Sequence, residues 1–262
     1  MDPVTAATID GLDLFGMLGT VLWHLLRIGA ALQVLPVIGG QGMPMRARLI
    51  VAVALAAAMS SVLPAPPVAG LDAATVLGVM REMAVGIAIG LVLRLAFEAG
   101  RLAGELISQG MALSMATLAD PLSGASSNVL SQWFYLMFAL LFFAVDGHLA
   151  LVQLLADSYR TLPIGTALPD PMHLASALPV FFSTVLRTGV LLALPVMMAL
   201  LASNLAFGVL SRAAAALNPI VIGIPVALLV GLVLITFAAR EMQAPVEALF
   251  QEAFLAARAL TA

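Results

Sequence analysis

Residues 75–93 read TVLGVMREMAVGIAIGLVL, and residues 94–105 continue as RLAFEAGRLAGE. The first segment is close to the roughly 20 residues that an α-helix needs to cross a hydrocarbon core of about 30 Å. In the second, four charged residues share one narrow stripe of a helix, at positions i, i+4, i+7 and i+11: Arg94, Glu98, Arg101 and Glu105. An apolar helix of this length predicts an all-α integral membrane protein.

The charged stripe has two readings that the sequence leaves open. A charge facing lipid at mid-membrane costs roughly 3 kcal/mol even on the insertion scale, so the stripe must face water or protein. Either the helix leaves the membrane after about Leu93 and carries solvated ion pairs, each worth about 0.2–0.5 kcal/mol, or the stripe is a polar seam buried against other protein.

The composition places the whole chain in the same class. Hydrophobic residues make up 63% and charged residues 10% of the 262, and the mean hydropathy is +1.12, far from the balance of a soluble domain. The absence of Cys excludes disulfides, thiolate chemistry and cysteine-based metal sites. A net charge of −3 gives no field that would attract nucleic acid.

Six apolar runs predict about six long helices, some of them broken. Most runs are long enough to cross a membrane, and the second is the shortest. Pro195 and Pro225 lie inside or at the start of runs and should kink or break those helices. The runs cover approximately Leu12–Leu35, Leu49–Leu63, Thr75–Leu93, Val129–Leu155, Leu178–Leu201 and Ile220–Ala239.

The N-terminal segment lacks the features of a cleavable signal peptide. The first ten residues include Asp2 and Asp10 but no Arg or Lys. We therefore expect the first helix to remain in the mature protein. The distribution of arginines between connections favours an N-terminus outside the cytoplasm.

The sequence contains no recognisable catalytic pattern. The histidines His24, His148 and His173 do not occur at i,i+4 spacing, and neither His-Glu-x-x-His nor Gly-x-Ser-x-Gly occurs. Asp146 and His148 would point about 160° apart on a helix, so we interpret Asp146-Gly147-His148 as a helix break or the end of a span. We predict a protein without catalytic activity, cofactor or metal.

Small residues recur at four-residue spacing, which lets helix backbones approach closely. Gly86 with Gly90, Gly100 with Gly104, and the set Gly223, Ala227 and Gly231 follow this pattern. These positions predict close packing, either within the chain or between subunits.

A stretch of small residues and methionines, SQGMALSMATLADP at residues 108–121, follows the charged stripe. It is too polar for a good lipid span and ends in the turn signal Asp120-Pro121. Met side chains are flexible and fill irregular gaps. We hypothesise a flexible apolar loop that plugs or lines a conduit.

The last third of the chain contains the most specific motif. Asn204-Leu-Ala-Phe-Gly-Val-Leu-Ser-Arg212 is followed by Leu217-Asn218 and then by Val221-Ile-Gly-Ile-Pro225. These residues resemble the FliR family of flagellar biosynthetic proteins. Further matches follow the family's order along nearly the whole chain: Arg27-Ile-Gly, Leu35-Pro36 with Gly39, Glu82 with Gly86 and Gly90, Gly100 to Gly110, Asp120-Pro121, Asp146-Gly147-His148, and Ser158 with Pro163 and Gly165. The departures are Ala215, Ala216, Pro219 and Ile220.

The resemblance implies a subunit of the flagellar type III export gate in the bacterial inner membrane at the basal body. Its implied partners are FliP-like, FliQ-like and FlhB-like subunits, and its cargo is unfolded flagellar subunits. The helices would form hairpins in a helical multi-subunit assembly, partly raised to the periplasmic side. The loop from Gln109 to Pro121 would contribute to a plug of the closed pore, with these candidate residues: Gln109, Gly110, Met111, Leu113, Met115, Leu118, Asp120 and Pro121.

The candidate positions for subunit packing combine the charged stripe with the family motifs. They are Glu82, Gly86, Gly90, Arg94, Glu98, Arg101, Glu105, Asn204, Arg212, Asn218, Gly223 and Pro225. The chain is predicted to be one export-gate membrane domain, 1–262, with a helical part at 1–110, a plug-like loop at 111–128 and a second helical part at 129–262.

The sequence leaves three alternative functions. The homologous subunit of a virulence-type injectisome would share the architecture and differ in cargo. A small-solute secondary transporter also uses broken helices and intramembrane charges, but it predicts an internal repeat that the sequence does not convincingly contain. An intramembrane enzyme is disfavoured by the missing His and Ser patterns.

Overall fold

The computed structural model describes residues 14–40, 43–63, 73–113, 129–166, 171–213 and 219–261. Within these ranges the regular secondary structure is helical, which confirms the all-α prediction. The helices are α1 Leu14–Val34, α2 Met45–Ser60, α3 Ala73–Gly110, α4 Val129–Ala144, α5 Gly147–Thr161, α6 Pro171–Ala213, α7 Pro219–Glu241 and α8 Gln243–Ala259.

Four of these helices, α1, α3, α6 and α7, are long and apolar enough to cross a membrane. Helices α4 and α5 together are also long and apolar enough to cross a membrane, as one span that is bent at the break between them. The described residues therefore hold four or five candidate spans, fewer than the six apolar runs. The run Leu49–Leu63 is lost because α2 has only 16 residues, too few to cross about 30 Å, and the run Val129–Leu155 counts as a span only if α4 and α5 are taken together.

The predicted break at Asp146-Gly147-His148 is confirmed, since α4 ends at Ala144 and α5 begins at Gly147. Asp146 has a left-handed backbone with φ 57°, a conformation that Asp tolerates better than most residues. Gly147 must be small, because a Cβ there would lie 2.5 Å from the Phe142 ring.

The prolines at 195 and 225 do not break their helices. Both α6 and α7 continue through them. Ala193 and Val196, two residues before and one residue after Pro195, are buried, so packing supports the helix where the proline removes a backbone hydrogen bond.

The chain forms two compact units. Unit 1 comprises Met1–Arg94, Leu149–Leu178 and Phe254–Ala262, and unit 2 comprises Leu95–His148 and Pro179–Ala253. These units differ from the predicted division into a helical part at 1–110, a plug-like loop at 111–128 and a helical part at 129–262, which stays a prediction.

In unit 1, α3 packs directly on the backbone of α1 through two glycines. A Cβ at Gly86 would come 2.2 Å from the carbonyl oxygen of Arg27, and one at Gly90 would come 2.6 Å from that of Ala31. Only glycine permits this approach, as proposed for small residues at helix interfaces.

The core of unit 2 is a cluster of buried phenyl rings. The Phe250 ring of α8 lies 5.3 Å from the rings of Phe97 and Phe142 and 6.1 Å from that of Phe138, measured between centroids. Gly104 of α3 lies against α4, since a Cβ there would come 2.6 Å from the Leu130 carbonyl oxygen.

Helix α6 has a buried stripe along only part of its length. Within unit 2 the buried positions recur every three or four residues: Phe181, Val185, Gly189, Ala193, Val196 and Leu200. From Leu201 to Arg212 no residue is buried. This end of α6 therefore presents an apolar surface that lipid or another protein must cover.

Candidate functional site

A buried ion pair joins α1 and α3 in unit 1. The Nε of Arg27 donates to Oε2 of Glu82 at 2.8 Å, and the two side chains are 0% and 1% exposed. A buried charge without a partner costs several kcal/mol. Each of the two residues therefore requires the other.

The remaining donors of Arg27 bind the C-terminal end of α5. Its Nη1 donates to the carbonyl oxygen of Ser158 at 2.8 Å and to the Ser158 hydroxyl at 3.1 Å, and its Nη2 donates to the carbonyl oxygen of Leu162 at 2.9 Å. The Ser158 carbonyl also accepts from the backbone N–H of Leu162 at 3.0 Å, and carbonyl groups at a helix C-terminus carry partial negative charge. The planar guanidinium supplies both the donors and the positive charge.

Tyr159 completes this arrangement. The Arg27 Cζ lies 4.2 Å from the centroid of the Tyr159 ring, within cation–π distance, and the tyrosine hydroxyl donates to the carbonyl oxygen of His24 at 2.9 Å. We call Arg27, Glu82, Ser158, Tyr159 and Leu162 the arginine network. Every guanidinium nitrogen has a protein acceptor, and the side chain is fully buried, so the network holds three helices together.

Glu82 was predicted as a packing position, whereas Arg27, Ser158 and Tyr159 were not among the predicted site residues. A signal for Arg27 existed, because a charged residue within an apolar run needs a partner. In the part of the chain that the structure describes, no group of three or more His, Cys, Asp or Glu residues is placed to hold a metal ion.

Helix α3 ends in unit 2 with a Schellman motif that overlaps the start of the predicted plug, and Gln109 and Gly110, predicted as loop, are the last two residues of the helix. The N–H of Leu113 donates to the carbonyl oxygen of Ser108 and that of Ala112 to the carbonyl oxygen of Gln109, both at 3.1 Å. Ala112 has a left-handed backbone with φ 59°, where glycine is usual and a side chain costs roughly 1–2 kcal/mol. The motif fixes the direction in which the chain leaves α3.

Two of the first predicted plug residues, Gly110 and Met111, pack inside unit 2. Met111 is fully buried, and a Cβ at Gly231 of α7 would come 2.6 Å from its Sδ. Gly110 faces the side chain of Leu200 at 3.1 Å, measured from an added Cβ. Leu113 is partly exposed, and the exposed Gln109 donates to Glu105 at 3.3 Å. The predicted plug residues Met115, Leu118, Asp120 and Pro121 lie outside the described residues.

The charged stripe lies at the surface of the chain. Arg101 and Glu98 form an ion pair at 3.3 Å with side chains 43% and 37% exposed, and the Arg101 Cζ lies 4.5 Å from the centroid of the Tyr135 ring. Glu105 accepts a hydrogen bond from Ser131 at 3.2 Å, and Arg94 is exposed. Helix α3 runs unbroken past Leu93, so the stripe is available to water or to a neighbouring subunit.

The packing positions of the C-terminal motif also face outward. Asn204, Arg212 and Pro225 are exposed, and an added Cβ at Gly223 would meet no atom within 4 Å. Asn218 lies outside the described residues. Among the residues that the structure describes, these positions of the motif are therefore little used in packing.

Comparison with known proteins gives the class of this protein. The model of the family described as bacterial export proteins, family 1, matches residues 18–253, and the chain belongs to this family. In particular, it is 37% identical to the flagellar biosynthetic protein FliR of Escherichia coli (strain K12) over 90% of both chains. It is 34% identical to FliR of Pectobacterium carotovorum subsp. carotovorum over 94% of both chains, and 27% identical to FliR of Bacillus subtilis (strain 168) over 80% of this chain and 82% of that relative. The predicted resemblance is confirmed.

Proposed function

We propose that the chain is a subunit of the flagellar protein export apparatus in the bacterial inner membrane. The observation that carries this proposal is the 37% identity to a FliR protein over 90% of both chains. The four or five candidate membrane spans support an integral position in the membrane. The chain has no catalytic activity in this role.

The partners of the chain are FliP-like, FliQ-like and FlhB-like subunits at the flagellar basal body. Two surfaces support contacts with other subunits. The charged stripe cannot face lipid without cost, and the exposed Asn204 and Arg212 of the C-terminal motif lie on the unburied end of α6. Both surfaces fit a chain that completes its packing only within an assembly.

The assembly forms a conduit for unfolded flagellar subunits, and the segment from Gln109 to Pro121 seals it. The fixed end of α3 supports this role, because the Schellman motif and the buried Met111 give the following segment a defined starting point. Methionine and leucine side chains are suited to an apolar seal that can adapt to cargo.

The subunit assignment is tested by purifying the tagged full chain from its native membrane and identifying the proteins that stay bound. We expect FliP-like and FliQ-like proteins, and deletion of the gene should abolish assembly of flagellar filaments. Recovery of the chain alone, together with normal motility of the deletion strain, would contradict the proposal. Loss of an injected toxin with intact flagella would instead identify an injectisome subunit.

The plug is tested by deleting Gly110–Leu118. We expect ion leakage through the membrane to rise well above that of the wild type, because the apolar seal is removed. Leakage is measured as ion flux across the membranes of cells that contain the assembled complex. Ala112→Gly is the control, since it keeps the loop length and favours the same left-handed backbone. If the complex assembles and leakage stays at the control level, the plug assignment is wrong.

A further inference from the structure

A pocket of about 560 Å³ lies in unit 2 between α6, α7 and the start of α8. Its volume falls in the range of about 300–1,000 Å³ that is usual for ligand sites. Apolar side chains form its walls, among them Leu191, Val196, Leu234 and Phe237. Pro195 also lines it, and a proline within a helix opens the local turn.

The lining also includes two opposite charges. Arg240 and Glu241 are the last two residues of α7 and both are exposed. No hydrogen bond or ion pair among the described residues involves either side chain. The pocket thus combines apolar walls with an unused cation and an unused anion.

The position of these charges defines the environment of the pocket. The candidate span of α7 is Gly223–Glu241, so Arg240 and Glu241 lie at its end. At the end of a span the hydrocarbon region gives way to lipid headgroups. The wall residues Leu191 and Phe237 are 54% and 64% exposed, so the pocket is open to whatever surrounds the span.

We propose that this pocket binds a phospholipid whose headgroup carries both a phosphate and a primary ammonium group. One acyl chain lies against the apolar walls, the phosphate pairs with Arg240, and the ammonium pairs with Glu241. A headgroup with negative charge alone would satisfy Arg240 but would be repelled by the adjacent Glu241. Both charges are satisfied only by a headgroup that carries both signs, which is the reason for choosing this lipid class.

The test is native mass spectrometry of the purified full chain in detergent. The chain is titrated with phosphatidylethanolamine, phosphatidylcholine and phosphatidylglycerol of identical acyl chains. We expect phosphatidylethanolamine to bind about tenfold more tightly than phosphatidylglycerol, from one added charge-assisted hydrogen bond. Phosphatidylcholine should fall between them, because its trimethylammonium group keeps the charge but has no N–H donor.

Two variants separate the roles of the charges. Arg240→Gln should weaken the binding of all three lipids about tenfold. Glu241→Gln should abolish the preference for phosphatidylethanolamine over the other two lipids. Arg258→Gln is the matched control, since Arg258 is an exposed arginine of α8 that does not line the pocket. Thermal unfolding of each variant checks that the fold is retained.

Three outcomes would overturn the proposal: equal affinity of the wild type for the three lipids, identical behaviour of Arg240→Gln and Arg258→Gln, or no retained lipid. If no lipid is retained, a side chain of a neighbouring subunit would be the better candidate to fill the pocket. None of these outcomes bears on the export function, which is tested separately by the bound proteins and by motility.

Discussion

Replacing Arg27 with Met is expected to lower the free energy of unfolding by about 3–5 kcal/mol, the usual cost of breaking a buried ion pair. Glu82 would remain buried without its counter-charge, and the Leu162 carbonyl would lose its Arg27 donor. The Ser158 carbonyl would keep only the N–H of Leu162. Thermal unfolding of the purified chain in detergent, together with the amount of chain in the membrane, measures the effect.

Further substitutions test whether loss of the arginine network causes the expected drop in the free energy of unfolding. Arg27→Lys should recover only part of the loss, because one ammonium group cannot reach three acceptors with the geometry of a guanidinium. The double variant Arg27→Met with Glu82→Met should cost less than the sum of the single variants, since it leaves no unpaired charge.

Arg160 supplies the matched control for Arg27. It lies on the same helix as Ser158 and pairs with Asp157 at 3.6 Å, but its side chain is 68% exposed. Arg160→Met should therefore change the free energy of unfolding by no more than about 1 kcal/mol. If Arg27→Met and Arg160→Met lower the free energy of unfolding equally, the buried ion pair contributes no more to stability than an exposed one.

Replacing Gly86 with Ala is expected to force α1 and α3 apart. The added Cβ would come 2.2 Å from a backbone carbonyl oxygen of α1, and backbone cannot yield as a flexible side chain does. Overpacking of this kind costs about 1–3 kcal/mol or more. Glu82 lies one helical turn from Gly86 on the same face, so separation of the helices also weakens the arginine network. Thermal unfolding and motility measure the two consequences.

Gly29 provides a control of the opposite sign. It lies on α1, and an added Cβ would meet its nearest atom, in the Leu25 side chain, at 3.9 Å. Because Ala is favoured over Gly in a helix by about 0.5–1 kcal/mol, Gly29→Ala should leave the unfolding temperature unchanged or raise it. If both variants unfold at the same temperature, the close approach of α1 and α3 is not required.

The sequence predicted the helical class well because run length and hydropathy are local properties. It missed α8, which is amphipathic and lies beyond the last apolar run. The buried residues of α8 within unit 2 are Val246, Leu249, Phe250 and Ala253. Their spacing of one, three or four residues is the helical pattern that would have identified it.

The arginine network was only partly predictable. Glu82 and Arg27 stand out as charges within apolar runs, but 55 residues separate them, and a single sequence does not pair distant positions. The other acceptors are backbone carbonyl groups of Ser158 and Leu162, which have no signature in the side-chain pattern. The charged stripe, by contrast, was identified by its spacing alone, and the ion pair between Glu98 and Arg101 joins two of its predicted positions.

The long sequence separation within the arginine network affects how the chain is made. Ser158 follows Arg27 by 131 residues. At about 5–20 residues per second, translation delivers Glu82 about 3–11 s and Ser158 about 7–26 s after Arg27. Throughout this interval the nascent first helix carries a charge whose entry into lipid costs roughly 2.5–3.5 kcal/mol. Until its later partners emerge, α1 therefore carries this cost in lipid, and formation of the arginine network removes it.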